Sequence, residues 1–296
     1  MPLFMFVSGY VYWATRKPVK YKKFVWIKFK RLMIPYYFIS IVVIVIKMIT
    51  EKRLWVPAPV TYSAFYEMLY LPVAGAFLWF VFTLFIIFLI IPFFNTRKRL
   101  SVFLLLSLVL FFVQIPFPKV FCLEKFRMYL LYFSLGCAFF EWTNIRKFID
   151  KTHFLFVLCV FVGLYIIIQN TNIEIYAIKK LAKACIALSG IFFISNLSKF
   201  FEQKTIFARK MFLNVSICSY TIYLFHTTFQ GFTKAIMLKF PFSSSTNFNN
   251  VILFLSTAFI VILAGVIVPI IIHNLVARYS KLLSFLLGAE YNREKK

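Results

Sequence analysis

Nine stretches of this 296-residue chain carry almost no charge and run 14 to 24 residues each. They are Met1–Ala14, Leu32–Thr50, Phe77–Phe94, Ser101–Pro118, Met128–Thr143, Phe154–Ile168, Leu181–Ser198, Ile217–Leu238 and Val251–Asn274. A core of this size cannot hide nine such runs from water, so the medium around them is lipid. Lipid offers backbone amides no partner, and each run must satisfy its own hydrogen bonds as a helix. The expected fold is therefore all-α, a polytopic membrane bundle of about nine transmembrane helices forming one undivided domain over residues 1–296. At 62% hydrophobic and 15% charged residues, a soluble globular domain is excluded.

The net charge of +25 would suit a nucleic-acid binder, but the basic residues sit in short clusters between the apolar runs. The connections Thr15–Arg31, Asn95–Leu100, Asn144–His153 and Lys199–Ser216, with the tail from Arg278, hold 23 of the 34 Lys and Arg. By the positive-inside rule that set is cytoplasmic, which places Met1 outside and the C-terminus inside. Trp13, Trp55, Trp79 and Trp142 fall at or near segment ends, the aromatic-belt pattern, and Trp26 lies in the first basic loop. None of the nine acidic residues falls at the middle of a run, so the buried carboxylate of many ion-coupled carriers is not in evidence. The five cysteines are scattered, with no CxxC and no histidine pairing, and suggest no metal site.

One run differs from the rest. In SICSYTIYLFHTTFQGFTK the polar residues Ser216, Ser219, Tyr223, His226, Gln230 and Lys234 recur in steps of three and four. At 100° per residue they share an arc of roughly 80° on a helix. Ile217, Leu224, Phe225, Phe232 and Ile236 occupy the far side, so the polar stripe is expected to face inward, toward other helices or a wet cavity.

The first basic loop has its own pattern. Tyr21, Phe24, Val25 and Phe29 interleave with eight basic residues at helical spacing, as in an amphipathic interfacial helix. Lys28 and Arg31, three apart, are expected to project from one side. The first run spans only about 21 Å at helical rise, short of the ~30 Å hydrocarbon core, so the chain reads as starting partway along a helix.

Four stretches stand out: MPLFMFVSGY, KFKRLMIPYY, LWFVFTLF and SYTIYLFH. Together they resemble acyltransferase family 3, multipass bacterial membrane acyltransferases that modify sugars of surface polysaccharides. MPLFMFVSGY at Met1–Tyr10 is similar to the family's second helix, and KFKRLMIPYY at Lys28–Tyr37 to its RxxR-type stretch followed by RLxxPY, with Lys28 in place of the first arginine. LWFVFTLF at Leu78–Phe85 is similar to LWFLxxLF, and SYTIYLFH at Ser219–His226 to SYxxYLxH. The family usually has ten helices, the first carrying a basic residue ten positions ahead of an essential histidine. The resemblance thus implies a member whose first helix is missing from these 296 residues.

The implied reaction is transfer of an acyl group, acetyl most simply, from acyl-CoA to a hydroxyl of a cell-surface carbohydrate or its lipid-linked precursor, at the bacterial cytoplasmic membrane. Such a transfer needs a base for the hydroxyl proton, and histidine suits it because its unperturbed pKa is ~6.5. His226 is the candidate base or relay, with Tyr223 and Ser219 as hydrogen-bonding neighbours. The same side chains serve equally as interhelical glue. Arg31, with its planar fork, and Lys28 are placed by the resemblance to hold the phosphates of the donor, although topology and anionic lipid alone account for basic residues there. Ser8 and Gly9 read as a close-packing site, His153 and His273 as interfacial, and Lys183 and Lys234 as snorkelling. A carrier that exports a glycolipid or acylated substrate would use the same polar face, and an inactive remnant would retain it.

Overall fold

The computed structural model describes residues 1–50, 60–114, 116–144, 146–147, 154–170, 175–204, 206–237 and 248–288. Trp55, His153 and residues 243–247 of the linker 243–250 lie outside them. Every described element is helical, and each of the nine apolar runs falls on a helix. Among the described residues three helical stretches, Tyr21–Thr50, Tyr176–Phe201 and Leu253–Val276, are long and apolar enough to cross a membrane. Trp79–Phe94 and Leu155–Asn170 are shorter apolar helices.

The helices are α1 (Pro2–Thr15), α2 (Tyr21–Lys28), α3 (Ile34–Thr50), α4 (Ala64–Glu67), α5 (Trp79–Ile90), α6 (Arg97–Phe112), α7 (Leu123–Glu141), α8 (Phe154–Asn170), α9 (Tyr176–Lys204), α10 (Ile206–Met237), α11 (Phe248–Tyr279) and α12 (Lys281–Leu286). They form two compact units, each built from two separate stretches of chain.

The first unit comprises residues 1–25 and 83–210. Its centre is the crossing of α1 and α7. A Cβ placed on Gly9 would fall on the Phe133 carbonyl, and one on Gly136 would fall on the Phe6 carbonyl, so the two backbones touch only because both positions lack a side chain. The expected packing role of Gly9 is what the structure shows. Nearby, the Cys137 thiol lies 3.3 Å from the Gly9 carbonyl. Across α6 and α7 the buried hydroxyls of Ser107 and Ser134 bond each other at 2.7 Å. Trp13 is not a belt residue: it is 2% exposed and its indole N–H donates to Glu141 at 2.8 Å. A buried indole needs an acceptor, and the end of α7 supplies one.

The second unit comprises residues 26–82 and 211–296. Between α2 and α3 the helix widens into a π turn, Phe29–Met33, where the Ile34 N–H reaches the Phe29 carbonyl. The cause lies just beyond. Pro35 has no N–H to give the Arg31 carbonyl, and its ring would crowd that oxygen in a regular helix. Tyr36, wholly buried, donates its hydroxyl to the carbonyls of Met68 at 3.0 Å and Leu71 at 3.2 Å, tying the chain before α5 to α3.

One expected boundary shifts. The loop Lys199–Ser216 is largely helical, with α9 running to Lys204 and α10 starting at Ile206. Phe200, Phe201, Phe207 and Phe212 interleave with the charges there, and the stretch has no Pro or Gly to stop a helix. In α11, Pro269 lies inside the helix without ending it.

Candidate functional site

The second unit brings three of the four motif stretches together. The Tyr223 hydroxyl on α10 donates to the Phe77 carbonyl, in the Ala76–Leu78 turn that opens α5. The Phe77 ring stands edge-on to His226, centroids 5.5 Å apart, and to Tyr223 at 6.0 Å, while Phe80 packs on Tyr223 at 5.3 Å. From the other side of SYTIYLFH, Tyr220 donates to the Leu32 carbonyl at 3.2 Å. Tyr36 of the PYY stretch packs on Phe82 of LWFVFTLF at 5.5 Å.

The His226 ring is set by its own helix. Its Nδ1 lies 2.8 Å from the Tyr223 carbonyl and 3.2 Å from the Ile222 carbonyl. A carbonyl can only accept, so Nδ1 carries the proton in these bonds, and the neutral ring then presents the Nε2 lone pair. That is the tautomer a general base requires. Tyr223 contributes a carbonyl and a ring face to His226 and spends a hydroxyl on Phe77.

Only part of the polar stripe is turned inward. Tyr223, His226 and Gln230 are half-buried, whereas Ser216, Ser219 and Lys234 are exposed. Gln230 lies against Gly265 of α11, 2.8 Å from where a Cβ would stand. Leu224, expected on the lipid side, is wholly buried, and so are its neighbours up the helix, Thr221 and Cys218. Cys218, Thr221 and Leu224 follow one another at helical spacing along that face. There Thr221 bonds His273 Nδ1 at 2.8 Å, with His273 only 7% exposed. His273 is thus a core residue rather than an interfacial one, held by a hydroxyl that an isolated reading of either helix does not pair with it. Lys183 and Lys234 are exposed.

Lys28 ends α2, half-buried, and Arg31 lies exposed in the π turn. The Arg31 charge acts on Lys28 and on Tyr220, so the two cations share a neighbourhood. Beside them Trp26 and Phe29 stack at 5.7 Å, and Lys30 stands over the Trp26 ring at 4.9 Å. Gly288, with φ +66°, caps the turn: a Cβ there would meet the Tyr220 ring, the Pro35 ring and the Arg31 carbonyl within 2.9 to 3.2 Å. The Arg31 carbonyl, denied its regular donor four residues on by Pro35, lies against a residue that only glycine suits. Gly288 was not foreseen, although a glycine two residues past α12 is a helix-stop signal. Among the described residues no contact joins Arg31 to His226, and no group of three or more His, Cys, Asp or Glu could hold a metal ion.

The acyltransferase family 3 sequence profile, an acyltransferase domain, matches residues 1–273. The chain belongs to acyltransferase family 3. The match runs through both compact units and includes all four motif stretches. No curated protein and no solved structure matches the chain. Family membership, with the apolar helices, makes it a membrane acyltransferase, and the resemblance drawn from the motifs holds.

Proposed function

We propose that this family 3 member moves an acyl group, acetyl most simply, from acyl-CoA to a hydroxyl of a cell-surface carbohydrate or its lipid-linked precursor. About nine helices cross the bacterial cytoplasmic membrane, with the C-terminus on the cytoplasmic side. The observation that carries this reading is the ring of His226, fixed through Nδ1 so that Nε2 is free to accept a proton, at the meeting point of two motif stretches.

In the reaction His226 Nε2 takes the proton of the acceptor hydroxyl as its oxygen bonds the thioester carbonyl carbon. The carbon–sulfur bond then breaks, and the imidazolium returns the proton to the departing thiolate. Tyr223, pinned to Phe77, holds the helix start of α5 against the ring. Arg31 offers a bidentate fork to the donor's phosphates and Lys28 a second charge. The deciding experiment supplies purified protein with acetyl-CoA labelled in the acetyl group and a surface glycan. Label appearing in the glycan as an alkali-labile ester, and lost in His226→Gln, supports the reading. Transport of the glycan across vesicles with no acetyl-CoA consumed would replace it with a carrier.

A further inference from the structure

We propose that Arg127 and Lys180 form the headgroup site for a lipid bearing a terminal phosphate, whose hydrocarbon tail lies in the groove between α6, α7 and α9. Both cations sit in the first unit, each one turn inside the N-terminus of its helix, α7 or α9. Both are more than nine-tenths buried, Arg127 at 8% and Lys180 at 9% exposure. Buried cations are held against a large desolvation cost, which an anion relieves. No carboxylate among the described residues pairs with either.

Their present contacts are neutral and leave capacity unused. Arg127 gives one N–H to the Val113 carbonyl at the end of α6 and stands over the Phe117 ring at 5.4 Å, while its Nε is buried without a partner. Lys180 donates to the Tyr176 hydroxyl at 3.1 Å and lies over the Phe111 ring at 4.7 Å. The Tyr176 hydroxyl also feels Arg127, so one phenol stands by both charges. The positive ends of α7 and α9 add to the same field.

Phe111 links this cluster to the groove. The groove, about 440 Å³, is walled by Leu104, Leu108, Phe111, Leu131, Leu181 and Leu188 and is almost wholly apolar. Two cations at one end of an apolar channel match an amphiphile with a doubly charged head. A phosphate monoester carries about −1.5 to −2 at pH 7, whereas a zwitterionic head would leave the pair unneutralised.

The full chain, purified in a non-ionic detergent, is titrated with dodecyl phosphate and read by native mass spectrometry, with thermal midpoints from the same samples. Binding is measured without turnover, so the result is independent of the transfer reaction. The expected result is saturable binding that weakens at least tenfold in Lys180→Met and Arg127→Gln, survives in Lys180→Arg, and weakens in Leu108→Trp, which fills the groove. Dodecanol and inorganic phosphate bind at least tenfold more weakly than dodecyl phosphate. Should Arg127→Gln fail to fold for want of its bond to Val113, Lys180→Met decides. Unchanged binding in Lys180→Met overturns the proposal. So does equal binding of inorganic phosphate, which would make this a free-anion site, or of dodecylphosphocholine, which would make it a generic tail groove. Glu174, outside the described residues, is tested by Glu174→Gln; lost binding there also overturns it, since removing a carboxylate favours an anion.

Discussion

His226 Nδ1 lies 2.8 Å from the backbone carbonyl of Tyr223, one turn back on the same helix. A histidine so placed is oriented by the helix itself and keeps its other nitrogen for chemistry. His226→Gln is expected to lower label transfer by about 10²- to 10⁴-fold, the usual worth of a general base, with an unchanged thermal midpoint. A loss of transfer that tracks loss of folded protein would instead mark His226 as a packing residue.

Arg31 and Lys28 divide the phosphate work unequally. Arg31→Ala is expected to raise the KM for acyl-CoA about tenfold or more, with kcat little changed, because charge-assisted hydrogen bonds contribute about 1.5–3 kcal/mol. Arg31→Lys recovers only part, since a point charge lacks the fork. Initial rates against donor concentration, at two salt concentrations, check both statements.

The Gly9 and Gly136 contact leaves no room for a methyl group. Gly9→Ala is expected to destabilise the first unit by about 1–3 kcal/mol, the usual cost of overpacking. The change is read as a lower thermal midpoint in detergent. A midpoint equal to wild type would mean the helices can slide apart at no cost.

Tyr36 serves two carbonyls with one hydroxyl. Tyr36→Phe keeps the ring on Phe82 but removes the hydroxyl's bond to Met68 and leaves Leu71 only its bond from the Val73 N–H, and is expected to cost about 1–3 kcal/mol. Faster proteolysis between α3 and α5, at residues 60–78, is the accompanying sign.

Much of this architecture can be read from local pattern. Each apolar run falls on a helix because a chain in lipid has little choice but to close its own hydrogen bonds. Gly9 and the Tyr223–His226 spacing are similarly local signals. Pairings between distant helices are not. Trp13 and Glu141 are 128 residues apart, Thr221 and His273 are 52 apart, and nothing in either flank says which helix will lie alongside. The stripe on α10 is turned inward only in part for the same reason: its polarity is visible in the sequence, but the burial of Cys218, Thr221 and Leu224 on the other face depends on elements distant in the chain. Arg127 and Lys180 lie just before the apolar runs that begin at Met128 and Leu181, and their burial depends on what Phe111, Phe117 and Tyr176 place around them.

The wide turn at Phe29–Met33 amounts to one residue more than a regular helix would hold. Deleting a single residue there would let the turn close to a regular one while Lys28 and α2 keep nearly the same azimuth. A one-position gap in this short stretch would therefore be absorbed locally, whereas the same gap in the regular part of α3 would swing everything before it by about 100°.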